Sequence, residues 1–333
     1  MQNILRIIVV GIFAILSSSA WAEEFKPAVV YDMGGKFDKS FNEGVYNGIK
    51  RFEEETGIKV MDFEVTNETQ REQAMQRMAK RGATVILGVG FAQADAINKV
   101  AAEHPDKKFA IIDVSWLDQP NLRQYAFKEH EGSYLVGMAA ALASKTGKVG
   151  FVGVMDIPLI RAFACGYVQG VKKVKADMEV LQNMTGTTPA AWNNPGKGAE
   201  LAQSQIDRGA DVIYQAAGGT GIGVIRAAAD AGKFSIGVDS NQNHLAPGSV
   251  LTSMLKRVDV AAYETMKDAM SGKFETGVRS LGLAEKGVGW ALDEHNAKLI
   301  SDDMKAQIEA ASADIVAGKI TVHDYRSDSS CPN

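Results

Sequence analysis

Short apolar runs rich in Val and Ile alternate with helix-like segments along most of the chain, and this alternation constrains the fold more than any other feature. Runs such as PAVVY, VILGV and FAIID are almost continuously apolar. Strands of that kind are typical of parallel sheets whose two faces are both covered by helices. We therefore predict an α/β fold built from doubly wound parallel sheets.

The alternation occurs twice, and it restarts after Glu131. The segment RGATVI at 81–86 reappears as RGADVI at 208–213, and each copy ends a helix at Gly and enters a strand at Val-Ile. A chain of this length normally forms two domains of about 150 residues. We predict two similar lobes, one of residues 23–128 plus about 254–284 and the other of 129–253 plus about 285–333.

The first 22 residues have the pattern of a secretory signal peptide. A basic MQNILR precedes the ten-residue apolar run IIVVGIFAIL, and Ala20-Trp21-Ala22 forms a small-x-small cleavage site. The apolar run is shorter than the roughly 20 residues that a membrane helix needs. No Cys follows it for lipid attachment. We expect cleavage after Ala22 and a soluble periplasmic protein; the alternative is a buried N-terminal helix.

Two cysteines, Cys165 and Cys331, remain in the chain. In an oxidising compartment they could pair and fix the C-terminal tail. Cys165 lies in a helical pattern, however, and could equally be a buried free thiol. The sequence leaves both possibilities open.

Charge and motif content exclude several classes of function. The formal net charge is −4 and no basic stripe is present, so we predict no nucleic-acid binding. No His or Cys cluster has metal-ligand spacing, and we predict no metal and no cofactor. The segment GTGIGV at 219–224 imitates a dinucleotide fingerprint, but Val224 occupies the position of its third glycine.

Charged residues stand at the ends of several predicted strands. Asp32, Asp113, Asp239 and Lys256 each stand at such a strand end. The carboxyl ends of parallel strands meet at one edge of a sheet, where ligands bind in open α/β folds. A carboxylate buried there is costly unless it is paired or bound to something. The pattern therefore predicts a binding site between two facing sheet edges.

The start of the first helix adds aromatic and amide groups to this edge. Ser40 to Glu43 matches the S-x-x-E capping box, which places Phe41 and Asn42 in the first turn. Trp192 stands just before a helix in the second half. These groups suit a flat heterocycle with hydrogen-bonding edges. The alternative is that Phe41 only packs on the core and Asp38 is a solvated turn residue.

Four motifs carry a family resemblance. They are D-x-G-G-x-x-D-x-S-F-N at 32–42, AGGTGIGV at 217–224, GVD at 237–239 and LTSMLK at 251–256. In this order they resemble the basic membrane lipoprotein family, whose members include purine nucleoside receptor A. The resemblance spans nearly the whole mature chain. It implies a type I periplasmic binding fold and a substrate-binding protein of an ABC importer, which closes on a nucleoside, most often a purine nucleoside, and delivers it to a permease in the inner membrane.

The resemblance also implies three groups of ligand contacts. Phe41 and Trp192 would stack on the two faces of the base. Asp32 and Asn42 would read its edge. The ribose hydroxyls would be held by a third group, namely Asp113, Gly218, Gly219, Asp239 and Lys256.

Two departures from the family pattern matter. Trp192 stands where the family usually has Phe, which leaves the preferred base open among purine and pyrimidine nucleosides and free purines. The missing lipobox Cys indicates a free periplasmic form, which we expect to act as a monomer.

Two alternatives to a transport receptor are open. One is an exported enzyme acting on nucleosides or sugars, and the other is a ligand-binding sensor domain. The residue types also allow Asp239 and Lys256 to form a mutual salt bridge that only latches the lobes.

Overall fold

The strands of the computed structural model, which describes residues 24–332, are arranged in two six-stranded sheets. The first sheet contains β1 (Pro27–Tyr31), β2 (Met61–Glu64), β3 (Val85–Gly88), β4 (Lys108–Ile112), β5 (Leu122–Phe127) and β11 (Gly277–Leu281). The second contains β6 (Lys148–Gly153), β7 (Glu179–Met184), β8 (Val212–Ala216), β9 (Phe234–Asp239), β10 (Val250–Lys256) and β12 (Val288–Trp290). The predicted signal peptide lies outside the described residues.

Both sheets follow the same strand order. The first runs β11-β5-β4-β3-β1-β2 and the second β12-β10-β9-β8-β6-β7. All neighbouring strands pair in parallel, except that β12 is antiparallel to β10. The α/β fold with two doubly wound parallel sheets is thereby confirmed.

Helices cover both faces of each sheet. They are α1 (Phe41–Thr56), α2 (Gln70–Lys80), α3 (Ala94–Glu103), α4 (Glu129–Ala143), α5 (Pro158–Val174), α6 (Pro195–Asp207), α7 (Gly221–Asp230), α8 (Val258–Ser271) and α9 (Asp302–Val316). Helix α1 packs on α8, α2 on α3, α4 on α5, and α6 on α7. None of the described helices combines the length and the apolar character needed to cross a membrane.

The alternate residues of β1 show why the strands are apolar throughout. Val29 and Tyr31 belong to the apolar cluster on one face of the first sheet, and Ala28 and Val30 to the cluster on the other face. All four are fully buried. Because both faces of β1 are covered, all five of its residues are buried, and the charged Asp32 comes only after the strand has ended.

The repeated hexapeptide occupies the same step in both halves. One copy leads from the end of α2 into β3, and the other from the end of α6 into β8. Gly82 and Gly209 both have positive φ, at 84° and 100°. Glycine adopts this left-handed conformation at little cost. The three residues Arg-Gly-Ala therefore end the helix and lead the chain into the next strand in both halves.

The sequence pattern did not predict α4 or β11. Helix α4 is buried around nearly its whole circumference, from Glu129 to Ala141, so its sequence lacks the apolar stripe of a surface helix. Strand β11 is a short edge strand with exposed residues, including Val278. The chain passes between the sheets after Phe127, after Lys256 and after Leu281.

A disulfide joins Cys165 on α5 to Cys331 in the C-terminal tail, with the two Cα atoms 5.5 Å apart. Of the two possibilities that the sequence left open, the structure therefore shows pairing. Tail residue His323 is held by Gln169, also on α5, whose side chain makes two hydrogen bonds of 2.9 Å to the His323 backbone.

Candidate ligand-binding cleft

The carboxyl ends of the two sheets face each other across a cleft. Eight of the nine predicted site residues line it, namely Asp32, Phe41, Asn42, Asp113, Trp192, Gly218, Asp239 and Lys256. Asp239 and Lys256 are the last residues of β9 and β10, and Asp32 and Asp113 directly follow β1 and β4. Gly219 is buried beside the cleft and is not among the residues that line it.

Two of the carboxylates occupy equivalent and strained positions. Asp113 follows the fourth strand of the first sheet, and Asp239 ends the fourth strand of the second. Their φ angles are 67° and 63°, in the left-handed region that residues other than glycine rarely adopt. Burial raises the pKa of both carboxyl groups, although the nearby Lys256 opposes the rise. Backbone strain of this kind persists where the surrounding structure enforces it, often at functional sites.

Lys256 is the charged centre of the cleft. Its Nζ lies 2.6 Å from Asp113 Oδ1 and 3.1 Å from Glu129 Oε1. Burial opposes the charge on Lys256, but the surrounding carboxylates raise the pKa of its amine above the ordinary value. Three ring centroids, those of Phe41, Phe127 and Phe163, lie 5.2, 5.2 and 5.5 Å from Nζ. The ammonium is thus held between carboxylates and aromatic faces.

The expected capping box at the start of α1 is wrong. The Ser40 side chain makes no capping hydrogen bond to the helix. Asp38 replaces it, because its carboxylate accepts from the backbone N–H groups of Ser40, Asn42 and Glu43 at 2.8–3.1 Å. The Glu43 carboxylate accepts from Lys39 instead. Asp38 is therefore a buried structural residue that also lines the cleft, and not a solvated turn residue.

Ser40 connects the two sheets. Its Oγ donates to Asp239 Oδ2 at 2.7 Å. Ser240, just beyond β9, donates from Oγ to the Ser40 carbonyl at 2.7 Å, and Gln242 donates to the Lys39 carbonyl at 2.9 Å. The turn that carries the first motif is therefore in direct contact with the loop that follows β9.

Asn42 and Asp32 present polar atoms on the first-sheet side. The Asn42 amide nitrogen donates to the Gly35 carbonyl at 3.1 Å, while its buried Oδ1 has no hydrogen-bond partner among the described residues. A buried acceptor without a partner costs free energy that a bound donor would recover. Asp32 Oδ1 accepts from Arg71 Nε at 3.2 Å.

Trp192 reaches the cleft from a short 3₁₀ helix, Pro189–Asn193. A Cβ atom at Gly218 would lie only 3.1 Å from Trp192 Cε3, and Gly218 has a φ of 54°. The positive φ and the close indole ring therefore both favour glycine at this position. A Cβ atom at Gly34 would lie 3.5 Å from Trp192 Cβ, so Trp192 also contacts the loop after β1.

Sequence reasoning missed several residues around the cleft. Arg71, Glu129 and Phe163 come from helices, and Arg326 from the C-terminal tail. Phe163 lies in the apolar pattern of α5, which gives no sign of which side chain reaches the cleft. The capping role of Asp38 was also missed, although the sequence offered a signal for it. Asp38 stands inside the first motif, just before α1, and Asp is a preferred capping residue.

A family model described as "ABC transporter substrate-binding protein PnrA-like" matches residues 25–325. The chain belongs to this family. It is 32% identical to a Lactococcus lactis subsp. cremoris protein named "ABC transporter nucleoside-binding protein BmpA", with 90% of this chain and 89% of the relative covered. It is 34% identical to a Listeria monocytogenes protein named "CD4+ T-cell-stimulating antigen", with 90% and 88% covered.

The fold comparison agrees with the family. A crystal structure of ABC transporter solute-binding proteins from Aeropyrum pernix K1 superposes with a TM-score of 0.82 at 30% identity, covering 90% of this chain and 93% of that one. The resemblance to the basic membrane lipoprotein family is confirmed, and so is the type I periplasmic binding fold. The chain is therefore a substrate-binding protein of the ABC transporter type, a class that implies a small-molecule ligand and a permease partner.

Proposed function

We propose that this protein binds a nucleoside in the cleft, with a purine nucleoside as the first candidate, and delivers it to its ABC permease. The observation that carries the proposal is the composition of the cleft lining. The lining contains aromatic rings and an unpartnered amide oxygen, and it also contains the charged pair of Lys256 and Asp113. The rings and the amide suit a base, which stacks and has hydrogen-bonding edges. The charged pair suits the hydroxyl groups of a ribose.

In this proposal the base stacks between Phe41 and Trp192. A donor on its edge would satisfy Asn42 Oδ1, with Asp32 beside it. The ribose hydroxyls would donate to Asp239 and Asp113 and accept from Lys256. Gly218 would allow close backbone approach, and the Gly219 backbone would support the same turn. The name of the Lactococcus lactis relative supports a nucleoside as the ligand.

The same proposal includes closure of two lobes. One contains the first sheet and the other the second, with crossings after Phe127, Lys256 and Leu281 as the hinge. The contacts that Ser40 makes with Asp239 and Ser240 would then form as the lobes close over the ligand.

Mass spectrometry of small molecules released from the denatured protein tests the identity of the ligand. Titration calorimetry with adenosine, guanosine, inosine, uridine and the free purine bases then gives the affinities. We expect nucleosides to bind and to raise the melting temperature without release of free base. Turnover to free base would instead identify an exported enzyme. Binding of free bases but not of nucleosides would contradict the proposed ribose contacts.

Asp239 provides a sharper test of the ribose contacts. Replacing Asp239 by Ala removes an acceptor for two vicinal hydroxyls, and hydrogen bonds to charged groups contribute about 1.5–3 kcal/mol each. We expect roughly a hundredfold loss of nucleoside affinity, and a small loss for the free base. The structure does not support a latching salt bridge between Asp239 and Lys256, because the Lys256 partners within 4 Å are Asp113 and Glu129.

Ser40→Ala is the matched control. It removes the contact across the cleft but leaves the Asp239 carboxylate in place. Equal losses for nucleoside and base in Asp239→Ala, repeated in Ser40→Ala, would show that Asp239 only connects the sheets.

We also propose export to the periplasm with cleavage after Ala22. The intact mass of periplasmic material should correspond to a chain that begins at Glu23. A mature protein that retains Met1 would contradict this part of the proposal.

A further inference from the structure

The C-terminal tail contributes a charged side chain to the network around Lys256. Arg326 Nη1 lies 2.9 Å from Glu129 Oε2, and its Nη2 donates to the Phe127 carbonyl at 3.0 Å. Asp324 accepts from Nε and Nη2 of the same guanidinium at 2.9–3.1 Å and fixes its plane. Arg326 therefore meets the chain at the crossing between the two sheets.

Glu129 transmits this contact to the cleft. Its side chain is fully buried, with one oxygen on Lys256 and the other on Arg326. Lys256 must balance Asp113 as well. If Arg326 were absent, Lys256 would be the one ion-pair partner left to Glu129 among the described residues, and the ammonium would be drawn toward Glu129 and away from Asp113. A buried charge that loses its partner is strongly unfavourable, so the whole group would rearrange.

The disulfide holds Arg326 in place. The tail residues from Ser327 to Ser330 are exposed and contribute little buried surface of their own. Two anchors flank Arg326, namely the His323 contacts with Gln169 and the Cys331 bond to Cys165. Both anchors are on α5, the helix that also brings Phe163 to Lys256. The tail and this side of the cleft are thus fixed to one element.

We propose that the disulfide-anchored tail is part of the ligand-binding machinery, with Arg326 as a positioning residue that acts through Glu129 to set the Lys256–Asp113 pair. This inference rests on the proposed nucleoside function. It assigns the tail a role in affinity for the ribose, because the ion-pair network joins Arg326 through Glu129 to Lys256 and Asp113, whereas the proposed base contacts, Asn42 and Trp192, are not members of that network.

Arg326→Gln, Cys331→Ser and the double variant test the proposal, with Lys319→Gln as control because it removes a positive charge from an exposed side chain of the same tail. Affinities are measured by calorimetry for adenosine, guanosine and inosine and for adenine, guanine and hypoxanthine. Arg326→Gln should weaken the nucleosides about tenfold and the bases less than twofold. Residues in one ion-pair network couple on this scale.

Cys331→Ser should weaken nucleosides in the same sense but less, and it should add little to Arg326→Gln in the double variant. Arg326→Lys should restore part of the affinity, because an ammonium can still face Glu129. Lys319→Gln should bind like the parent.

Three outcomes would overturn the inference. Parent-like nucleoside binding by Arg326→Gln would show that the tail is not coupled to the cleft. Equal losses for nucleosides and bases would indicate general loosening of the fold, which thermal unfolding of each variant would reveal independently. If the parent protein itself binds no nucleoside, the proposed function fails first and the inference fails with it.

Discussion

At the scale of single residues, Trp192 lines the cleft beside the loop that follows β8. Its ring lies against Gly218, where an added Cβ atom would come within 3.1 Å of Trp192 Cε3. An indole offers a larger face than a phenyl ring, and stacking of a base on an aromatic ring is worth about 1–3 kcal/mol on truncation.

Trp192→Ala should therefore weaken nucleoside binding about tenfold or more, since about 1.4 kcal/mol corresponds to a factor of ten. Trp192→Phe should keep most of the affinity, because a ring remains for stacking. Calorimetry with adenosine and inosine measures both variants. Parent-like binding by Trp192→Ala would remove Trp192 from the base contacts.

At the scale of secondary-structure elements, the start of α1 depends on Asp38. Its carboxylate accepts hydrogen bonds from the backbone N–H groups of Ser40, Asn42 and Glu43. The Glu43 carboxylate accepts from Lys39 instead. Removing a capping side chain costs about 0.5–2 kcal/mol. Asp38→Ala should lower the free energy of unfolding in urea by that amount, and Glu43→Ala should change it by much less. A larger loss of stability for Glu43→Ala than for Asp38→Ala would instead support the capping box.

The same carboxyl group links the stability of the fold to pH. Burial raises the pKa of Asp38 from 3.8 to about 7, although its backbone hydrogen bonds oppose the rise. Because the folded state holds this proton more tightly, the stabilisation is fully present below pH 3.8 and is lost as the pH rises through about 7. Urea unfolding between pH 4 and 8 should show a shallower decline for Asp38→Asn than for the parent. Parallel curves would mean that Asp38 is ionised throughout.

At the scale of the whole molecule, the disulfide closes a segment of 166 residues between α5 and the tail. Cross-links stabilise mainly by restricting the unfolded chain, typically by about 2–4 kcal/mol. Cys331→Ser should lower the free energy of unfolding by about that amount while the sheets remain intact by circular dichroism. An unchanged free energy of unfolding would show that the tail is held by its other contacts alone.

The sequence by itself determined the two parallel sheets and the edge at which the site lies. Strands covered on both faces are rich in apolar residues, so charged residues at their ends, such as Asp32 and Lys256, stand out in the sequence. Parallel strands bring their carboxyl ends to one edge, which is why side chains far apart in the chain could be expected together. The hexapeptide repeat even placed equivalent steps of the two halves.

Tertiary structure alone decided which groups surround those residues. Helix α4 is buried on all sides, so no periodicity marked it, and its first residue, Glu129, brings a second carboxylate to Lys256. Asp38 displaced Ser40 as the cap because several nearby acceptors compete for the same N–H groups, and packing against the second sheet turns Ser40 toward Asp239. Arg326 lies 197 positions beyond Glu129. Local patterns report burial along one element, whereas a charge pair between elements depends on how the whole chain returns to the cleft.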